Sequence, residues 1–415
     1  MAGDSVNSVN IARSAVTILI LPISPMENSL TLQGATIVTR NSVIEDGEVR
    51  IEHGLIVDVR SKVTTNENRC AANLRGTYLL PGLIDSHSDI IENALQPRLG
   101  ASFRSDLVLP LFETHLLSCG ITTVVHALPT LDVPALRKSV TSARTIIDCL
   151  MDSTGNGLAG THLVSVRCEL TDDESVTFAA NLKRNRIVRT VSLEDHTPKS
   201  PKDQTYFQRY CRTQINLEDE QIETYLKKKK VNLVSFWSRA AGVAAHALKQ
   251  DYNVSAHDVC TAEDVERFSD LGVLVCEFPT SLKVAERAKA LGMKTVIGAP
   301  NLVTGGSQVG NVKAEALVAQ ELVDVICSDY HPPSLLASIF RLWQKTHVPL
   351  YRAVAMSTAN AAAVIGVTCR GSIEPGHVAD LLVVRLISDL PFVERTYVGW
   401  KPIYDRSHLF NTHIS

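Results

Sequence analysis

From residue 78 onward, short and nearly unbroken apolar runs alternate with longer stretches in which apolar residues recur at three- and four-residue spacing. The first run is Tyr78-Leu79-Leu80, which passes through Pro81-Gly82 into Leu83-Ile84 and ends in Asp85-Ser86-His87-Ser88-Asp89. Seven more follow: Ile121–Leu128, His162–Leu170, Ile187–Leu193, Asn253–His257, Val273–Phe278, Lys294–Ala299 and Asp324–Ser328. The first is too short for a helix and reads as a buried strand, and the others are read as strands in the same way. The intervening segments Asp106–Cys119, Glu218–Lys230, Val243–Gln250, Ala262–Leu271, Leu282–Leu291 and Pro333–Lys345 read as helices. The Lys227–Lys230 run fits a solvated helix end. Eight alternating units predict an α/β fold, a (β/α)8 barrel over residues 79–368.

At both ends the pattern changes to period two. Ser29–Val38 reads as a strand, Glu45–Glu48 as a turn, and Val49–Glu52 with Leu55–Val59 as a hairpin around His53-Gly54. Near the other end, Arg370–Gly376 is turn-like, and Ala379–Val384 and Arg395–Tyr404 are strand-like. Neither end can bury a core alone, so residues 28–78 and 369–415 are expected to form one small β-sandwich beside the barrel. Residues 1–27 do not share this pattern and read as an extension, with Met26 resembling an ordinary start. The apolar stretch Val16–Ile23 is far shorter than the ~20 residues that span a bilayer. It also lacks the basic start and small-residue cleavage site of a signal peptide.

Charge and cysteine content narrow the class. A net charge of −3 over 415 residues leaves no electrostatic footprint for nucleic acid or an anionic membrane. Nine dispersed cysteines without a Cys-x-x-Cys pair suit a reduced, cytoplasmic protein. The expected partner is a small-molecule substrate, and the chain is expected to form a homo-oligomer.

In a barrel of this kind chemistry sits at the C-terminal ends of the strands. The first strand ends in His87-x-Asp89, whose side chains share a face. Others end in Arg167-Cys168-Glu169, Glu194-Asp195-His196, Ala256-His257-Asp258 and Ser328-Asp329-Tyr330. Taken singly, each has an ordinary explanation: a loop histidine at His196, an ion pair at Glu169, a helix cap at Asp329. Together, imidazoles and carboxylates at five strand ends predict a divalent metal site, with zinc or manganese suiting the donors. The spacing predicts two ions. His87, Asp89 and Asp329 would hold one, His196 and His257 the other, and Glu169 would bridge. Such pairs sit about 3.5–4 Å apart and lower the pKa of a clamped water. Asp329 would take the water's proton and deliver it to the leaving group.

The segment Leu79-Leu80-Pro81-Gly82-Leu83-Ile84-Asp85-Ser86-His87, with barrel and split sandwich, resembles the amidohydrolase superfamily. Gly120–Val124, Arg167–Glu169, Asp195–Pro198 and Glu277–Thr280 are similar to one branch, the PhnM-type phosphohydrolases of the carbon–phosphorus lyase pathway. More specific to that branch are Gly298–Asn301, Gly305-Gly306-Ser307 with Gly310-Asn311, and Ser328–Tyr330. The resemblance runs from about residue 28 to about 385. It implies hydrolysis of α-D-ribose 1-methylphosphonate 5-triphosphate to the 5-phosphate and pyrophosphate, by attack of a metal-activated water on the α-phosphorus. Asn301, Gly305, Gly306, Ser307 and Asn311 would bind phosphate through backbone N–H groups, a hydroxyl and amides, and Arg98 is a further candidate clamp. The chain departs from the branch at Gln308, where histidine is usual, and at Lys199–Asp203, which replaces a Gly-Gln-Arg-Gln-Phe type loop. It departs again at Val259, which stands for an acid. A kept ligand set with altered surroundings leaves a C–N hydrolase or a non-catalytic ligand binder as other readings.

Overall fold

The computed structural model describes residues 29–61, 71–98, 100–131, 139–153, 157–197, 201–214, 218–228, 233–307 and 310–409. The N-terminal extension, Lys199, Ser200 and Gln308 lie outside the described residues.

Eight strands form the central sheet: Leu83–Ser88, Ile121–Pro129, Thr161–Glu169, Val188–Glu194, Asn253–His257, Val275–Glu277, Lys294–Gly298 and Val325–Cys327. Their order in space follows their order in the chain, and every neighbouring pair is parallel. The first and last strands meet through a parallel bridge between Ser88 and Asp329. There the Asp89 N–H donates to the Asp329 carbonyl at 2.8 Å, and the Asp329 N–H donates to the His87 carbonyl at 3.1 Å. Deeper in the seam, the buried Asp85 carboxylate accepts the Ser328 N–H at 2.8 Å and the Ser328 hydroxyl. Barrel closure therefore falls on the segments that carry His87, Asp89 and Asp329, and fixes their backbones.

Inside the barrel, Ile84, Val125, Leu163, Val275, Val296 and Val325 from six strands pack with Ala361, Ala362 and Ile365, which plug one end. β-branched and leucine side chains fill this layer, as the crowded interior of a small barrel requires. A larger apolar layer lies between strands and helices; Leu109, Leu116, Leu150, Ala247, Val265, Phe340 and Leu342 belong to it.

The two chain ends together build one separate eight-stranded sheet. Its core holds Leu32, Ile37, Val49, Ile51, Leu79, Leu381, Val383 and Tyr397. The first apolar run is thus two strands, not one. Tyr78–Pro81 pairs with Ser29–Val38 and Leu381–Ile387, whereas Leu83–Ser88 enters the barrel. The chain changes sheets at Gly82, whose N–H donates to the Asp380 carbonyl at 2.8 Å. A Cβ on Gly82 would overlap the Thr122 side chain, so only glycine fits this crossing.

Other expectations shift locally. The turn placed at Glu45–Glu48 is part of a continuous strand, Val43–Glu52. The turn chemistry there makes a bulge: Asp46 has φ 49°, and the register against Ser29–Val38 shifts. The hairpin turn is at His53-Gly54, with φ 50° and 83°. Arg395–Tyr404 divides at Gly399-Trp400 into Leu390–Val398 and Lys401–Asp405. The long gap after the fourth barrel strand holds three helices: Pro201–Gln214, which was not expected, Asp219–Lys228, and Leu233–Lys249, which starts well before the predicted Val243. Among the described residues, no helix is long and apolar enough to cross a membrane.

Candidate metal centre

Strands one, five and six deliver His87, His257 and Glu277 to one point at the barrel mouth, with ligand atoms all within 4.8 Å of one another. His87 is fully buried, and neither ring nitrogen makes a hydrogen bond. Its neighbours are carboxylates: Asp89 is 3.4 Å from Nε2 and Glu277 is 3.6 Å from Nδ1. The Nδ1 of His257 is likewise buried without a hydrogen bond, 3.3 Å from Asp258. Glu277 accepts a hydrogen bond from the Ser192 hydroxyl at 3.1 Å, which orients it toward the imidazoles. Phe278 backs the cluster, its ring centroid 4.8 Å from that of His257 and 5.1 Å from that of His87.

The backbone takes unusual turns to present these groups. Asp258, Phe278 and Asp329, each just past a barrel strand, have φ of 53°, 52° and 58°. Side chains with a Cβ enter this left-handed region only at a cost, on the order of 1–3 kcal/mol each. Three such residues at one mouth mark it as a site where geometry outweighs stability.

The electrostatics of the cluster follow from its crowding. Burial alone would lower the His87 pKa, yet the Glu277 and Asp89 carboxylates outweigh it and hold the imidazole well above its ordinary value. Burial would raise Glu277, and His87 outweighs it in the other direction. Asp329 is pushed up to about 6, chiefly by burial and next by the charge of Asp89. Orphaned buried nitrogens are expensive, on the order of 1–3 kcal/mol apiece. A divalent cation would satisfy them, and two imidazoles with carboxylates form a set that suits zinc or manganese. The residues present therefore fit such an ion.

The grouping differs from the one the spacing suggested. His87 joins His257 and Glu277, while His196 joins His257 and Asp258 in a second group that shares His257. Asp89 lies beside His87 but is gripped by Arg167, whose Nη1 donates to both carboxylate oxygens at 2.9 and 2.7 Å. Glu169 is buried and belongs to neither group; it faces His196 Nδ1 at 2.8 Å and accepts from the Thr171 hydroxyl. Asp329 closes the barrel beside Asp89 and faces the cleft. Glu277 was read only as part of the branch-like segment Glu277–Thr280, not as a ligand. Its signal was there: one acid inside the otherwise apolar run Val273–Phe278, next to the strand that ends in His257.

A cleft of about 260 Å³ opens from the cluster. Asp89, His257, Asp258 and Asp329 line one side, and Asn301, Ser307, Asn311 and Tyr330 supply further polar groups. Phe278, Pro279, Ile297, Val312 and Leu317 form its apolar wall. Asn301 sits on the helix Ala299–Thr304, which Gly305 ends in a left-handed cap at φ 83°. Gly305 and Gly306 lie between lining residues without lining the cleft themselves. Arg98 is exposed in a turn bridged to Ala101 and is not among the lining residues.

Comparison with known proteins places this geometry. The sequence profile of the amidohydrolase family matches residues 78–410. The chain is 29% identical over 365 residues to the alpha-D-ribose 1-methylphosphonate 5-triphosphate diphosphatase of Escherichia coli (strain K12), a match spanning 86% of this chain and 95% of that protein. A shorter match, 32% identical over 92 residues, covers 21% of this chain and 20% of the 5-methylthioadenosine/S-adenosylhomocysteine deaminase of Bacillus cereus (strain B4264). Among solved structures, guanine deaminase from C. acetobutylicum aligns at a TM-score of 0.57 and 14% identity, over 91% of this chain and 100% of that one. The beta-aspartyl dipeptidase of Fervidobacterium islandicum AW-1 aligns at 0.60 and 15% identity, over 91% and 97%. At such identities the structural likeness establishes the fold. The profile match over most of the chain, on a barrel whose mouth gathers imidazoles and carboxylates, identifies a hydrolase: the protein belongs to the amidohydrolase family.

Proposed function

We propose that the protein hydrolyses a phosphoanhydride bond of a ribosyl phosphonate triphosphate, releasing pyrophosphate and leaving the 5-phosphate. One observation carries this reading: the His87–His257–Glu277 cluster opens onto a cleft bordered by Asn301, Ser307 and Asn311. In this reading those side chains hydrogen-bond to phosphoryl oxygens beside the cation. The E. coli relative, similar over nearly its whole length, acts on such a triphosphate by name.

In this reading His87, His257 and Glu277 hold a divalent ion, zinc or manganese. When bound, the ion supplies Lewis-acid polarisation of a phosphoryl oxygen and a water acidic enough to react near neutral pH. Asp329, at about 6, is ionised at neutral pH and accepts the water's proton at Oδ2. It then returns the proton to the departing pyrophosphate. The Asn301 and Asn311 amides and the Ser307 hydroxyl donate to oxygens that gain charge in the transition state. Phe278, Ile297 and Leu317 keep bulk water from the reacting group.

A second reading has its own support. The described residues lining the cleft include no lysine or arginine, and the short deaminase match points to C–N chemistry. The two readings separate by product. Metal-loaded protein is incubated with the ribosyl methylphosphonate triphosphate, and separately with amides and aminopurines, while pyrophosphate and ammonia are both measured. Pyrophosphate from the triphosphate is the expected result. Ammonia alone would replace the first reading with the second.

A further inference from the structure

We propose that Arg167 is a resident cation of the site, filling the place of a second metal ion, so that the centre takes up a single divalent ion per chain. This rests on the metal-dependent reading above and replaces the two ions that strand-end spacing suggested. Arg167 is buried at the mouth on the third barrel strand. Its Nε donates to Glu194 Oε1 at 2.6 Å, and its Nη1 donates to both oxygens of Asp89. Its Nη2 lies 3.4 Å from His196 Nε2. The guanidinium thus ties the end of strand one to the end of strand four.

The fork occupies the donors a second ion would need. His196 faces Glu169 through Nδ1 and Arg167 through Nε2. An ion at the usual distance of about 2.1 Å from Nε2, on the line to Arg167, would stand roughly 1.3 Å from Nη2. Arginine does not lose its proton to make room. Nor is it free to swing aside, because Glu194 is itself buried and holds Nε. By contrast, both nitrogens of His87 and the Nδ1 of His257 make no hydrogen bond. With His196 held in this way, the second group keeps only His257 and Asp258, whereas His87, His257 and Glu277 converge on one point.

The test needs no substrate. Full-length protein is stripped of metal, saturated with Mn²⁺, passed through gel filtration and assayed for manganese per chain and by electron paramagnetic resonance. We expect about one ion per chain and the six-line spectrum of an isolated Mn²⁺. Arg167→Met, which keeps the bulk without the charge, is expected to take up a second ion and show a spin-coupled spectrum; Arg167→Lys should stay at about one. Two ions per chain with a coupled spectrum in the unaltered protein would overturn the inference and leave the metal-dependent reading standing. No bound ion would overturn both. The unaltered protein decides the question even where Arg167→Met fails to fold.

Discussion

Replacing Gly298 by alanine tests the placement of Asp329 without touching a donor. Gly298 ends the seventh barrel strand at φ −80° and ψ 129°, a conformation open to alanine. A methyl built there stands 3.0 Å from Asp329 Oδ2, 3.4 Å from Asp329 Cβ and 3.4 Å from the Phe278 ring. Ordinary van der Waals contact begins at 3.4 Å, so the carboxylate must yield by roughly 0.4 Å. The Asp329 backbone cannot share the movement, since its N–H and carbonyl both make barrel-closing bonds. The side chain therefore rotates. A misplacement of about 1 Å can cost about 100-fold in rate. On the same logarithmic scale 0.4 Å costs about sixfold, or about 1 kcal/mol of barrier. Stability should barely change. Alanine restricts the unfolded chain and gains about 0.4–1 kcal/mol, which offsets a mild overlap of similar size. The assay combines turnover at saturating substrate, metal content and the thermal midpoint. The expected outcome is a turnover about sixfold lower with metal and midpoint unchanged. Wild-type turnover would refute the reasoning that the position of Asp329 limits the rate, and loss of metal would shift the effect to the donor cluster.

Three further outcomes follow from the same geometry. Asp329→Asn should lower turnover about 10²–10⁴-fold, the usual worth of a general base, while metal content measured after dialysis stays near that of the parent. Glu277→Gln keeps the shape but removes a charge from the donor cluster; metal should be lost in competition with a chelator at concentrations the parent withstands, and retention would remove Glu277 from the site. Stability of the ion-free protein should fall with rising pH. Asp329 and Asp85 both stand at about 6 when folded, against 3.8 when unfolded. The folded state binds these protons more tightly, so this stabilisation is full below about pH 4 and is lost as pH rises through about 6, by roughly 3 kcal/mol per group. Denaturant titrations between about pH 4 and pH 8 should show the fall, and Asp329→Asn should shrink it; an unchanged slope would count against the burial argument.

The barrel was legible because its strands are buried on both faces. Short runs set between helical stretches, such as Ile121–Leu128 and Asn253–His257, match the observed strands Ile121–Pro129 and Asn253–His257 closely. The switch between sheets was not legible, because Tyr78–Ile84 is apolar throughout and only the crowding of Gly82 against Thr122 shows that two strands meet there. Asp46-Gly47 has the chemistry of a turn, and a bulge uses the same left-handed residue. Pro201–Gln214 carries few apolar residues, so its helix left little periodic trace. At the site, His87, Asp89, His196, His257 and Asp329 could be read because each ends a run. Glu277 lies within one, and the short strand Val275–Glu277 turns at once through the left-handed Phe278, which the periodicity does not announce. The ion pairs of Arg167 with Asp89 and Glu194 were not legible, because only closure of the barrel brings strand one to it.

The central claim is that this mouth breaks a phosphoanhydride bond at the α-phosphorus. Phosphorus NMR in ¹⁸O-enriched water, with metal-replete protein and the ribosyl methylphosphonate triphosphate, tests it most directly. The account predicts pyrophosphate without label and a 5-phosphate carrying one ¹⁸O, with neither product formed by Asp329→Asn. Unchanged triphosphate from protein with its metal bound, or label in the pyrophosphate, would contradict it.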